Sequence, residues 1–187
     1  MGKIVLATII ISGSAKWLLK VGGNKEKWYG SDRIFMYVMT VFGAMAVNYS
    51  EQCTEYGWVV SNLRLLAGCL LAGGLLSAAY MDRRNCWVYN YVWWWCLSWT
   101  GILLGFPVAE GYMKDGLRGI ADSFDIQQAA AVVLFVLLQQ ILFARMYGRA
   151  DCHAFSACAL ACCAWHGNLL WFLVHMLLAL TLLAAVQ

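Results

Sequence analysis

Residues 58–85 read WVVSNLRLLAGCLLAGGLLSAAYMDRRN. From Trp58 to Met81 the only charge is Arg64, and the run is longer than the roughly 20 apolar residues a helix needs to cross the hydrocarbon of a bilayer. It ends abruptly on Asp82-Arg83-Arg84. Gly68, Ala72 and Gly73 lie within it, small residues of the kind that let membrane helices approach closely. The whole chain has the same character: of its 187 residues 63% are hydrophobic and only 12% charged, whereas soluble domains carry about 25% charge. That composition excludes a water-soluble globule and a disordered chain, and a net charge of +3 excludes a nucleic-acid binder.

Working outward, further apolar segments fall near 4–20, 34–50, 86–106, 126–144, 152–166 and 168–186. The fold class expected is therefore all-α, a polytopic transmembrane bundle of six to seven helices. The count turns on the first segment, which Ser12-Gly13-Ser14 and Lys16 interrupt and which also reads as a signal-like leader. Residues 107–125, with the single Pro and four acids, read as the longest loop. Trp87, Trp93, Trp94, Trp95 and Trp99 crowd the fourth segment, and of these Trp87 and Trp93 to Trp95 read as an interfacial aromatic belt. Eight cysteines occur without any C-x-x-C pair, and those inside apolar runs (Cys69, Cys96, Cys158, Cys162, Cys163) read as small packing residues. Neither a metal nor a cofactor is expected.

Threading the segments alternately places Lys20, Lys25, Lys27, Arg33, Arg83, Arg84, Arg145 and Arg149 on one side and Lys3, Lys114 and Arg118 on the other. Basic loops stay in the cytoplasm, so the turns around 82–85 and 145–151 are expected there, in a multi-pass protein of the plasma membrane. Of the ten acids, eight read as solvated loop residues. Asp82 and Asp151 differ, because each sits where an apolar run meets a basic turn, and alternation puts both at the same cytoplasmic depth. Singly, Asp82 reads as a helix-end charge balanced by Arg83 and Arg84, and Asp151 as a helix N-cap. Brought together in a partly dry site, two carboxylates share one proton; one then activates a water while the other donates to a carbonyl. That is metal-free aspartic peptide hydrolysis.

Asp82-Arg83-Arg84-Asn85-Cys86-Trp87-Val88-Tyr89-Asn90 resembles the first motif of the type IV prepilin peptidases, an Asp at a cytoplasmic helix end followed eight residues on by an Asn. Gly148-Arg149-Ala150-Asp151 resembles their second, Gly-x-Gly-Asp, which the archaeal preflagellin peptidases and presenilins share. Tyr89 stands where Pro is usual and Ala150 where Gly is usual. The resemblance spans 58–166 and implies a division into amino-terminal membrane helices, 1–57, and a membrane aspartyl peptidase core, 58–187. It implies a hydrolase that removes a short basic leader from prepilin-like proteins of type IV pilus systems, cutting at a Gly before a hydrophobic helix. Asp82 and Asp151 would be the catalytic pair, Gly148 would shape the turn, Ala150 would keep a small residue before the aspartate, and Asn90 matches without an assigned role. The cytoplasmic Cys-rich insert of methylating members is missing, so peptidase activity alone is expected. Arg83, Arg84, Arg145 and Arg149 flank the two motifs, a charge that a basic leader has to face.

Two other readings carry weight. His153 and Cys158 faintly resemble the pair of the membrane cysteine peptidases that process signalling peptides, although five helical residues turn them roughly 140° apart. A non-enzymatic membrane scaffold or transporter subunit would have each aspartate paired with a neighbouring Arg.

Overall fold

The structure, a computed structural model, describes residues 2–22, 30–52, 58–119, 126–142 and 148–166, with 169–170, 172–174 and 176–177 beyond them. Lys25, Lys27, Arg145 and His175 lie outside the described residues. Among the described residues all regular structure is helical: α1 (Gly2–Val21), α2 (Gly30–Gln52), α3 (Trp58–Asn85), α4 (Asn90–Asp115), α5 (Ile126–Ile141) and α6 (Arg149–His166). Three of these stretches, Gly2–Val21, Val59–Arg84 and Asn90–Asp115, are long and apolar enough to cross a membrane. At 1.5 Å per residue even the shortest spans about 30 Å.

The chain packs as two units, Met1–Leu103 and Leu104–Gln187. In the first, α1 and α2 both pack on α3. Apolar side chains point outward as well as inward: Ile9, Phe42, Leu63 and Trp94 are exposed, whereas Ser14, Thr40, Arg64, Ser77 and Thr100 are buried. This distribution suits lipid as the surrounding solvent and needs the inner hydroxyls satisfied. Several bond within their own helix, Ser14 to the Ile10 carbonyl at 2.9 Å, Thr40 to Met36 at 2.6 Å and Ser77 to Gly74 at 2.8 Å, so they cost little in an apolar interior.

Ser14 does more than interrupt an apolar run. It is the contact by which α1 reaches α3: a Cβ on Gly73 would collide with the Ser14 hydroxyl and lie 3.0 Å from the Ile11 carbonyl oxygen. Gly74, one residue on, does the same for α4, where a Cβ would come within 2.7 Å of Cys96 Sγ and 2.8 Å of Trp95. The small-residue stretch of α3 thus serves two neighbours, and α1 is a packed part of the unit.

The expected aromatic belt divides by position. Trp87 and Trp94 are exposed. Trp93 is buried, and Trp95 faces inward, its indole N–H donating to the Leu70 carbonyl at 2.9 Å and its ring 5.4 Å from that of Trp17. An indole in an apolar interior needs an acceptor, and α3 supplies one.

Part of the stretch read as a loop is helical, since α4 continues through Pro107 to Asp115; residues 120–125 lie outside the described residues. Gly116, at φ +60°, then closes the helix with its N–H on the Tyr112 carbonyl. A single proline removes one intrahelical bond, and the apolar residues on either side keep the helix going.

In the second unit α5 packs against α6 through Val132 and Ala159, joined by Leu169 and by Phe135 and Phe172, whose rings meet edge to face at 5.7 Å. Every described cysteine is a free thiol; Cys69, Cys96 and Cys152 are buried.

Candidate functional site

Asp82 lies in the last turn of α3 with an exposed side chain. The helix ends just beyond it, where the Cys86 N–H bonds to the Asp82 carbonyl at 2.8 Å and Cys86 takes a left-handed φ of 49°. Glycine is the usual residue at such a helix end, so a thiol here carries backbone strain of about 1 kcal/mol. Asn90, exposed, begins α4 four residues later. Trp87, Tyr89 and Tyr91 form a short run of rings from the turn after α3 into the start of α4, Tyr89 and Tyr91 stacked at 5.8 Å. The Tyr91 hydroxyl donates to the Leu18 carbonyl at 2.8 Å and ties the end of α1 to the same place.

The arginines after Asp82 do not balance it. Arg84 turns to the first turn of α2, where its Nε and Nη2 donate to Asp32 Oδ2 at 3.1 and 2.6 Å. Arg83 lies over the Phe35 ring, 4.9 Å from its centroid. The Asp82 carboxylate has no hydrogen bond or ion pair among the described residues. The reading of Asp32 as a solvated loop acid is corrected: α2 begins at Gly30, four residues before the expected apolar segment, so Asp32 sits inside the helix and is buried. Its carboxylate near the helix amino terminus is favoured by the dipole and its remaining charge is met by Arg84. Glu110 and Asp115 are likewise helical residues rather than loop residues, Glu110 pairing with Lys114 at 2.8 Å.

Asp151 is exposed in the first turn of α6. It is not the cap. The Cys152 N–H bonds to the Gly148 carbonyl at 3.3 Å, so Gly148 is the N-cap residue and Asp151 the third residue of the helix. There its carboxylate still interacts favourably with the positive end of the helix. Gly148 has φ +91°, a conformation that strongly favours glycine, whereas Ala150 is already helical. The departure at Ala150 therefore falls where a methyl group brings no backbone strain.

Behind Asp151, α6 meets α5 through a polar contact that the sequence did not single out. Gln140 Nε2 lies 3.2 Å from His153 Nδ1 and donates to Ser156 Oγ at 3.3 Å. An amide nitrogen can only donate, which makes Nδ1 the acceptor and places the ring proton on Nε2. His153 is thus engaged with Gln140 of α5. A polar residue at the end of an apolar segment, as Gln140 is in 126–144, is the signal that could have drawn attention to it.

Asp82 belongs to the first unit and Asp151 to the second. Comparison with known proteins found no matching family model, no matching curated protein and no matching solved structure.

Proposed function

We propose that this protein is a membrane-embedded aspartic endopeptidase that removes a basic leader from prepilin-like proteins at the cytoplasmic face of the plasma membrane, without methylating the product. The observation that carries the reading is the state of Asp82: an exposed carboxylate at the end of a membrane-length helix whose two neighbouring arginines are occupied by α2. A scaffold in which Asp82 only balances Arg83 and Arg84 has no use for that arrangement. Asp151 supplies the second carboxylate, in the first turn of α6 just after Gly148, which holds φ +91°.

In this reading six to seven helices span the bilayer, with Asp82 and Asp151 at the cytoplasmic boundary. Support for the orientation comes from the first unit, where the end of α1 with Lys20, the start of α2 with Arg33 and the end of α3 with Arg83 and Arg84 gather at one end. Aspartic peptide hydrolysis requires two carboxyls that share one proton. The ionised member takes a proton from a water as it attacks the peptide carbonyl, and the protonated member donates to the developing oxyanion. Gly148 and Ala150 shape the approach to Asp151, and the substrate presents its scissile Gly just before an apolar helix lying in the membrane.

Processing of a co-expressed prepilin tests the reading. Asp82→Asn and Asp151→Asn should each abolish cleavage while the protein still accumulates in the membrane, and retained cleavage in either would overturn it.

A further inference from the structure

Four cationic side chains gather at the Asp82 end of the first unit, and they are not equivalent. Lys20, Arg33 and Arg83 are exposed, so water and salt screen them and lipid phosphates can neutralise them. Arg84 is the exception, its side chain only 23% exposed. A charge that far from water acts over a longer range and needs a fixed counter-charge of its own.

Asp32 is that counter-charge. Its side chain is 9% exposed, and one oxygen receives two bonds from the guanidinium. Phe35, one turn along the same face of α2, carries Arg83 at 4.9 Å. The first turn of α2 thus draws both arginines to itself. Arg84 and Asp82 are two residues apart in the last turn of α3, where helix geometry points them to different faces. Pairing with Asp32 therefore does not consume Asp82; it cancels the positive field beside it.

We propose that Asp32 is a specificity-determining residue of the Asp82 site: by neutralising the half-buried Arg84 it lets a positively charged leader segment reach Asp82. This rests on the peptidase reading above. Asp32 acts through Arg84 and touches no substrate, which makes it a positioning residue. Were Asp32 only a staple between α2 and α3, its loss would impair every substrate alike; as a charge device, its loss discriminates by leader charge.

The test uses the full chain in phosphatidylcholine vesicles, which carry no net lipid charge. Two synthetic prepilin peptides share the scissile Gly and apolar helix and differ in having Lys or Gln in the leader. Asp32→Asn should raise KM for the Lys leader about tenfold, the effect of one uncompensated charge at moderate distance, with kcat for both peptides and KM for the Gln leader within about twofold. Asp32→Glu should keep the wild-type preference, and Asp32→Asn combined with Arg84→Gln should restore it. Should Asp32→Asn fail to accumulate, the exchanged pair Asp32→Arg with Arg84→Asp carries the test and must process the Lys leader with the wild-type KM. Equal losses on both leaders, no loss, or no restoration in the double variant would overturn the role of Asp32 and leave the peptidase reading standing. A wild-type protein that cleaves neither peptide overturns the peptidase reading and this inference with it.

Discussion

Arg84 directs two nitrogens at a single oxygen of Asp32, across 52 residues of chain, and so fixes the start of α2 against the end of α3. In the role proposed for Asp32, the same bond offsets the charge beside Asp82, because the guanidinium of Arg84 is turned toward α2. Structure and proposed chemistry meet at this pair.

Loss of either carboxyl should be complete and loss of the nearby thiol should not matter. Asp82→Asn and Asp151→Asn are expected to reduce prepilin cleavage at least about a thousandfold, as for other groups that act as a unit in catalysis. Cys158→Ser should stay within about twofold, since His153 is held by Gln140 on the neighbouring helix. Gel-shift processing assays on membranes containing equal amounts of each variant give the answer, and a processing defect in Cys158→Ser would favour a thiol mechanism.

Orientation can be read at Cys86, which is exposed next to the α3 terminus. With Cys86 as the sole cysteine, an impermeant maleimide applied to intact cells should leave it unlabelled, and permeabilised cells should label it fully. Strong labelling from outside would reverse the topology. Cys152, close to the other motif, is no useful probe because it is fully buried.

The strained residue at the end of α3 predicts a stabilising substitution. Cys86 holds φ at 49°, and glycine adopts that conformation without the Cβ clash, so Cys86→Gly should raise stability by about 1 kcal/mol. Thermal unfolding in detergent micelles measures it. A lower midpoint would mean that the Cys86 side chain contributes packing that outweighs the backbone term.

Glycine positions in the first unit predict opposite signs. Gly73→Leu should destabilise by about 2 kcal/mol or more, because the new side chain meets Ser14 and the Ile11 carbonyl where α1 crosses α3. Gly101→Ala, with no atom near its Cβ, should be neutral or stabilise by up to about 1 kcal/mol through helix propensity. Similar effects at the two sites would be incompatible with the α1–α3 contact.

In the second unit, Gln140→Ala and Ser156→Ala should show a coupling of about 0.6 kcal/mol in a double-mutant cycle, the size usual for hydrogen bonds between membrane helices. Additive effects would remove the α5–α6 polar contact from the account.

The approximate positions of α1, α2 and α3 were legible in the sequence because an apolar run is a local property: it either exists or does not. The described bounds of α1, α2 and α3 fall within a few residues of the segments read as 4–20, 34–50 and 58–81. Gly148 entered only through the resemblance; the structure gives it φ +91°, a conformation that strongly favours glycine. The function proposed above rests, on the sequence side, only on a resemblance carried by Asp82 and Asp151. Other features depended on which helix faces meet, and that is a property of the packed chain. Asp32 looked like any loop acid until α2 began early enough to turn it toward Arg84. Trp95 looked like an interfacial anchor until the Gly74 surface of α3 drew it inward and the Leu70 carbonyl met its indole. Gln140 and His153 are 13 residues apart on different helices, and only the antiparallel packing of α5 and α6 brings them into hydrogen-bond distance. An apolar run is selected by the solvent around it, but a polar side chain inside that solvent is placed by its partner, and the partner is known only when the helices have packed.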